Sequence, residues 1–94
     1  MSHGRTRRTE LGDHFTEGAR LLWDAMERLG FEQYQLEKHI QAPTGLVSRL
    51  LYGDQRAGRV WMFKLYNKLG IPLESWNQTS SKPFLPPAAR PLVA

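Results

Sequence analysis

The chain has 94 residues, a net charge of +4, 40% hydrophobic residues and no cysteine. That length suits one small domain with tails, which buries only about 60% of its unfolded surface. Without cysteine, disulfides and cysteine-ligated metal sites are excluded. No run is apolar and long enough to span a membrane, and Met1-Ser2-His3-Gly4-Arg5 is not followed by a signal-peptide core. The expectation is a soluble, cytoplasmic protein.

Residues 1–12 are polar and carry Arg5, Arg7 and Arg8. They read as a flexible basic arm, suited either to tracking a nucleic-acid backbone or to keeping the chain soluble. A first helix is expected from Asp13 or Thr16, either of which can accept a capping bond. Its inward residues are Phe15, Leu22, Met26 and Leu29, with Ala19 and Ala25 nearby, and Gly30 ends it.

After Phe31 re-enters the core, a second helix begins at Glu32 or Gln33 and turns Leu36 and Ile40 inward. Pro43 breaks it, since its ring removes an N–H and biases Ala42 away from helix. A third helix is expected from Thr44 to Tyr52. Val47 and Leu50 face inward, while Thr44, Gly45, Ser48, Arg49 and Tyr52 share the outer side. Leu46 is either packing or a contact for a thymine methyl.

Gly53 and the loop Asp54–Gly58 lead to a fourth helix, Arg59 to Leu69, with Met62, Leu65 and Leu69 inward. Ile71 to Trp76 reads as a short fifth helical turn. Residues 77–94 contain Pro83, Pro86, Pro87 and Pro91 and read as an extended or disordered proline-rich tail. The expected class is all-α, with a domain over residues 13–76 between the arm and the tail.

Gln33-Tyr34-Gln35-Leu36, Ile40, Ala42, Val47-Ser48-Arg49-Leu50 and Gly53, followed by Lys64-Leu65-Tyr66-Asn67-Lys68-Leu69-Gly70-Ile71-Pro72-Leu73-Glu74-Ser75-Trp76, resemble the Cro/phage-repressor helix-turn-helix family. This is the lambda-repressor-like, xenobiotic-response-element type. The resemblance covers about Asp13 to Trp76 without insertion. It implies a compact five-helix lambda-repressor-like bundle whose third helix enters the DNA major groove, in a transcriptional regulator acting as a homodimer on double-stranded DNA. Carried over by position, Gln33 meets a phosphate, Thr44, Gly45, Ser48 and Arg49 face the groove, and Gln55 and Arg56 lie near the backbone.

Four positions depart from the family pattern. Glu37 stands where a small alanine is usual, Gln41 where a turn glycine is usual, Pro43 in place of a capping serine, and Arg59 in place of an apolar residue. Glu37 either tilts the helix pair apart or directs its carboxylate out through the seam. Gln41 either adopts a left-handed conformation or the turn differs.

Arg49 carries the clearest chemistry, because a guanidinium can grip guanine O6 and N7 with two bonds, worth about 1–3 kcal/mol of discrimination. Trp61, Phe63, Trp76 and Leu51 are candidates for a protein interface, since Val60-Trp61-Met62-Phe63 is apolar on every side of one turn. A rival reading on the same fold is therefore a protein-interaction module, such as an antitoxin, an adaptor or an assembly subunit, engaging its partner through the fourth helix or the tail. Structured RNA is a third partner class.

Nothing points to catalysis. Gly53 to Val60 has phosphate-loop glycine spacing but lacks the Lys-Ser/Thr pair and a preceding strand. His3, His14 and His39 show no metal-ligand spacing. Glu17, Asp24 and Glu27 read as ordinary exposed helix acids, and no nucleophile–base pair stands out. No metal, no cofactor and no enzymatic activity are expected.

Overall fold

The computed structural model describes residues 10–86, which hold four α-helices, one 3-10 helix and no strand. The described chain folds into one body with a radius of gyration of 13.1 Å. Helix α1, Glu17–Leu29, is capped by Thr16, whose hydroxyl accepts the Ala19 N–H at 3.4 Å. Gly18, Ala19, Leu22, Trp23, Ala25 and Met26 are buried at helical spacing. Leu29, expected inward, is instead 49% exposed. The chain reverses at Gly30, the Phe31 N–H bonds back to the Met26 carbonyl at 3.0 Å, and Phe31 packs against the core there.

Helix α2, Gln33–Ile40, starts with a reciprocal cap in which the Glu32 N–H donates to Gln35 Oε1 at 2.8 Å. It buries Leu36 and Ile40 and ends on Gln41. Helix α3, Leu46–Tyr52, is shorter than expected. Thr44 and Gly45 lie before it, and the Leu46 N–H bonds to the Pro43 carbonyl at 3.1 Å. Its pairs Leu46/Leu50 and Val47/Leu51 are each four residues apart, so they form a double row that is wholly buried. This corrects one expectation and decides another. Leu51 is fully buried and presents no surface to a partner, and of the two readings of Leu46 the structure takes core packing.

Helix α4, Arg59–Leu69, fully buries only Leu65, with Trp61, Met62 and Leu69 packed against the core from its edge. Lys64 ties it to α2, donating from Nζ to the Ile40 carbonyl at 3.1 Å while lying 5.0 Å from the Trp61 ring centroid. The closing turn is a 3-10 helix, Leu73–Asn77. It drives Trp76 onto α1 at Gly18, where a Cβ would lie 2.3 Å from the indole ring, so only glycine admits the approach. Trp76 is 5% exposed, which removes it from the candidate interface residues.

The segment after Trp76 stays on the body through Pro86, which is buried. The Glu17 N–H donates to the Gln78 carbonyl at 2.9 Å, and the Ser81 N–H donates to Glu17 Oε1 at 2.8 Å. Phe84 stacks on Phe15 with ring centroids 5.3 Å apart and leans on Trp23 at 5.5 Å. On the other side of Phe15, Gly12 N–H donates to the Tyr52 carbonyl at 2.6 Å and His14 N–H to the Gly53 carbonyl at 2.9 Å. The start of the described chain is thereby fastened to the end of α3. No helix among the described residues is long and apolar enough to cross a membrane.

Candidate functional site

The turn between α2 and α3 sets the site. Gln41 takes a left-handed conformation with φ 58°, the one non-glycine residue with positive φ among the described residues. Its N–H and that of Ala42 both return to the α2 carboxyl end, Ala42 bonding the Glu37 carbonyl at 2.8 Å. Gly45 then has φ 88°, a value that a β-carbon disfavours. The amino end of α3 has no side-chain cap from its own N-cap residue. The cap comes from across the turn, where Glu37 Oε2 accepts the Gly45 N–H at 2.7 Å. Glu37 thus turns its carboxylate back onto the turn rather than out to solvent. It takes over the role that a serine at position 43 would serve.

On the outer side of α3, Arg49 is exposed and Ser48 is half-buried. Arg49 Nε donates to Gln55 Oε1 at 2.7 Å, joining the helix to the loop that follows it. At Gly45 a β-carbon would lie 3.1 Å from Arg49 Nη1, so the guanidinium occupies space that glycine leaves open. Thr44 is exposed just before this group, and Gln33, the first residue of α2, is half-buried. The structure therefore brings Gly45, Arg49 and Gln55 together and adds Glu37, which the site residues read from sequence omit. The signal for Glu37 was present. Once Pro43 replaces a capping side chain, an acceptor one helical turn before the break is the group to seek.

Arg56 belongs to a different feature. It lines a cleft of about 190 Å³ together with Asp13, His14, Thr16, Trp76 and Gln78. The Trp76 indole N–H is buried without a hydrogen-bond partner among the described residues. Arg5, Arg7 and Arg8, named as an arm for a nucleic-acid backbone, lie outside the described residues.

A second surface lies on α4. Val60, Phe63 and Tyr66 are 63%, 49% and 50% exposed, and steps of three residues keep them along one side of the helix. Trp61, the other candidate on this helix, is half-buried and packs against the core.

Among the described residues, charged side chains of α1 form an ion-pair network. Arg20 Nε donates to Glu17 Oε1 at 2.9 Å, its Nη2 pairs with Glu17 Oε2, and its Nη1 reaches Asp24 Oδ2 at 3.2 Å. The Arg20 guanidinium, helped by the Ser81 backbone and hydroxyl, overcomes the effect of burial and lowers the Glu17 carboxyl to about 2. The same pairing raises the Arg20 pKa. This network fastens the C-terminal segment to α1 and is structural.

No family model, no characterised protein and no solved structure matches the chain.

Proposed function

We propose that the chain is a sequence-specific DNA-binding regulator of the phage-repressor type, with α2 and α3 as a helix-turn-helix and α3 as the helix that enters the major groove. The observation that carries this reading is the division of α3 into a fully buried double row of leucines and valine and an outer side bearing Ser48 and exposed Arg49. A seven-residue helix anchored so completely on one side presents the other at a fixed angle, which reading base edges requires. Thr44, Gly45 and Ser48 flank Arg49 on the groove side, and Gln33 is the phosphate contact at the start of α2. The net charge of +4 supports the reading without weight of its own.

A homodimer on half-sites about one helical turn apart gives such a small module useful affinity. The exposed Val60, Phe63 and Tyr66 of α4 favour a protein contact there. They equally support the second reading, a protein-interaction module such as an antitoxin, an adaptor or an assembly subunit.

Selection of bound duplexes from random DNA by the full chain tests the first reading. The expected result is an enriched site with two-fold symmetry, whose binding weakens with rising salt. Absence of any enriched duplex at low salt, together with recovery of a stable complex with another protein, would transfer the function to the second reading.

A further inference from the structure

Arg49 does not stand free on α3. Its Nε–H is already committed to Gln55 Oε1 at 2.7 Å. A guanidinium can make paired bonds along two edges, one formed by Nε and a terminal nitrogen and one formed by the two terminal nitrogens. The bond to Gln55 closes the first edge and leaves the second. Gly45 leaves room for this placement, since Arg49 Nη1 lies 3.1 Å from where a β-carbon at position 45 would sit. Gln55 is half-buried in the loop that follows α3, and Gly45 is fixed by the Glu37 carboxylate. The guanidinium is therefore tethered by the loop after α3 before any partner arrives, and it sits in space that Gly45 leaves open.

We propose that Gln55 is a positioning residue that holds Arg49 for end-on recognition of a single guanine, the two terminal nitrogens donating to O6 and N7. This rests on the DNA-binding reading above, and it assigns Gln55 to specificity rather than to the DNA backbone. The end-on mode matters because a guanidinium held by its Nε edge cannot swing to a neighbouring base without breaking that bond. One base pair per half-site should then carry a guanine requirement that an untethered arginine would enforce more weakly.

The test uses the full chain and the duplex enriched by selection. Affinities are measured for that duplex, for its single-base variants, for a 7-deazaguanine version lacking the N7 acceptor, and for random duplex. Gln55→Ala is expected to reduce the guanine preference at one position about tenfold. Gln55→Glu restores the preference, because a carboxylate accepts the same Nε–H. Arg49→Ala abolishes the preference at that position, and 7-deazaguanine, which keeps O6 but lacks N7, weakens it. If Arg49→Ala loses the preference but Gln55→Ala keeps it, the positioning role falls and the DNA reading stands. If Arg49→Ala weakens all duplexes alike, Arg49 contacts phosphate and the guanine assignment falls. If no duplex is enriched, the DNA reading itself fails. Independently of DNA, the Arg49 Nε–H resonance of the free protein should exchange slowly with water in the parent and in Gln55→Glu, and quickly in Gln55→Ala. Fast exchange in the parent would overturn the tether directly.

Discussion

The Glu37 carboxylate accepts the Gly45 N–H at 2.7 Å, so a side chain of α2 caps α3 across the turn that separates them. A capping acceptor is worth about 1 kcal/mol. Glu37→Ala should lower stability by that amount, equivalent to about 5 °C in Tm for a domain of this size. Glu37→Gln keeps an acceptor oxygen and should lose less. Thermal unfolding followed by circular dichroism measures both, and an alanine variant as stable as the parent would show that water replaces the cap without loss.

Gln41 ends α2 with φ 58°, where the other described helices that end in a left-handed residue use glycine. A side chain in that region costs about 1 kcal/mol. Gln41→Gly should therefore stabilise the fold by about 1 kcal/mol in urea titration, without altering m. A destabilised Gln41→Gly would mean that the glutamine side chain contributes contacts that outweigh its backbone strain.

Gly18 faces the Trp76 ring so closely that a β-carbon would lie 2.3 Å from it. Ala is the better helix former, so an exposed helical glycine would gain from Gly18→Ala. Here the methyl group must displace the indole, and the expected result is a loss of about 3 kcal/mol with an altered near-ultraviolet tryptophan signal.

Glu17 links pH to the C-terminal segment. Its folded carboxyl titrates at about 2, below the ordinary 4.5, chiefly because of Arg20. A depressed folded value means that its contribution is complete above the ordinary value and disappears as pH falls towards 2. Between those limits the parent should lose stability as the Ser81 and Arg20 bonds to Glu17 are lost. Glu17→Gln should start less stable at neutral pH and show a flatter acid limb. Equal slopes for the two proteins would assign the acid sensitivity to other carboxyls.

Phe63 is half-exposed between Val60 and Tyr66 on α4. If this side is where two copies meet, Phe63→Glu should yield a monomer in sedimentation at concentrations where the parent is dimeric, with unfolding unchanged. A monomeric parent at high micromolar concentration would leave this face to a different protein.

Residue periodicity located the four α-helices, because apolar spacing and helix-ending residues are local signals, while the expected fifth helix is a 3-10 turn. Thr16, Gly30, Gly53 and Gly70 each adjoin a helix end, and Pro43 lies three residues from both α2 and α3. The errors came from contacts between segments distant in sequence. Leu51 and Trp76 looked available to a partner because the same apolar pattern serves a core or an interface. Only the arrival of α1 against α3 and of the 3-10 helix against Gly18 decides between them. The bonds from Glu37 to Gly45 and from Arg49 to Gln55 span eight and six residues, beyond the reach of helical periodicity. Phe84 was unreadable for a similar reason. A proline-rich context hides a stacking partner for Phe15 that lies at the opposite end of the chain.

The Phe15–Phe84 stack makes the described polypeptide a closed circuit, with its two ends meeting over Trp23. Trimming the protein at Trp76 to isolate the helices would open that circuit, strip the Glu17 carboxylate of its Ser81 partners and expose two aromatic rings to water. Joining the ends by a short linker would instead hold the clasp shut, and new termini could be cut in the Asp54–Gly58 loop only at the expense of the segment that holds Arg49. The two ends of the described segment are therefore part of the scaffold, and a minimal version of this protein has to extend from the Gly12 turn to Pro86.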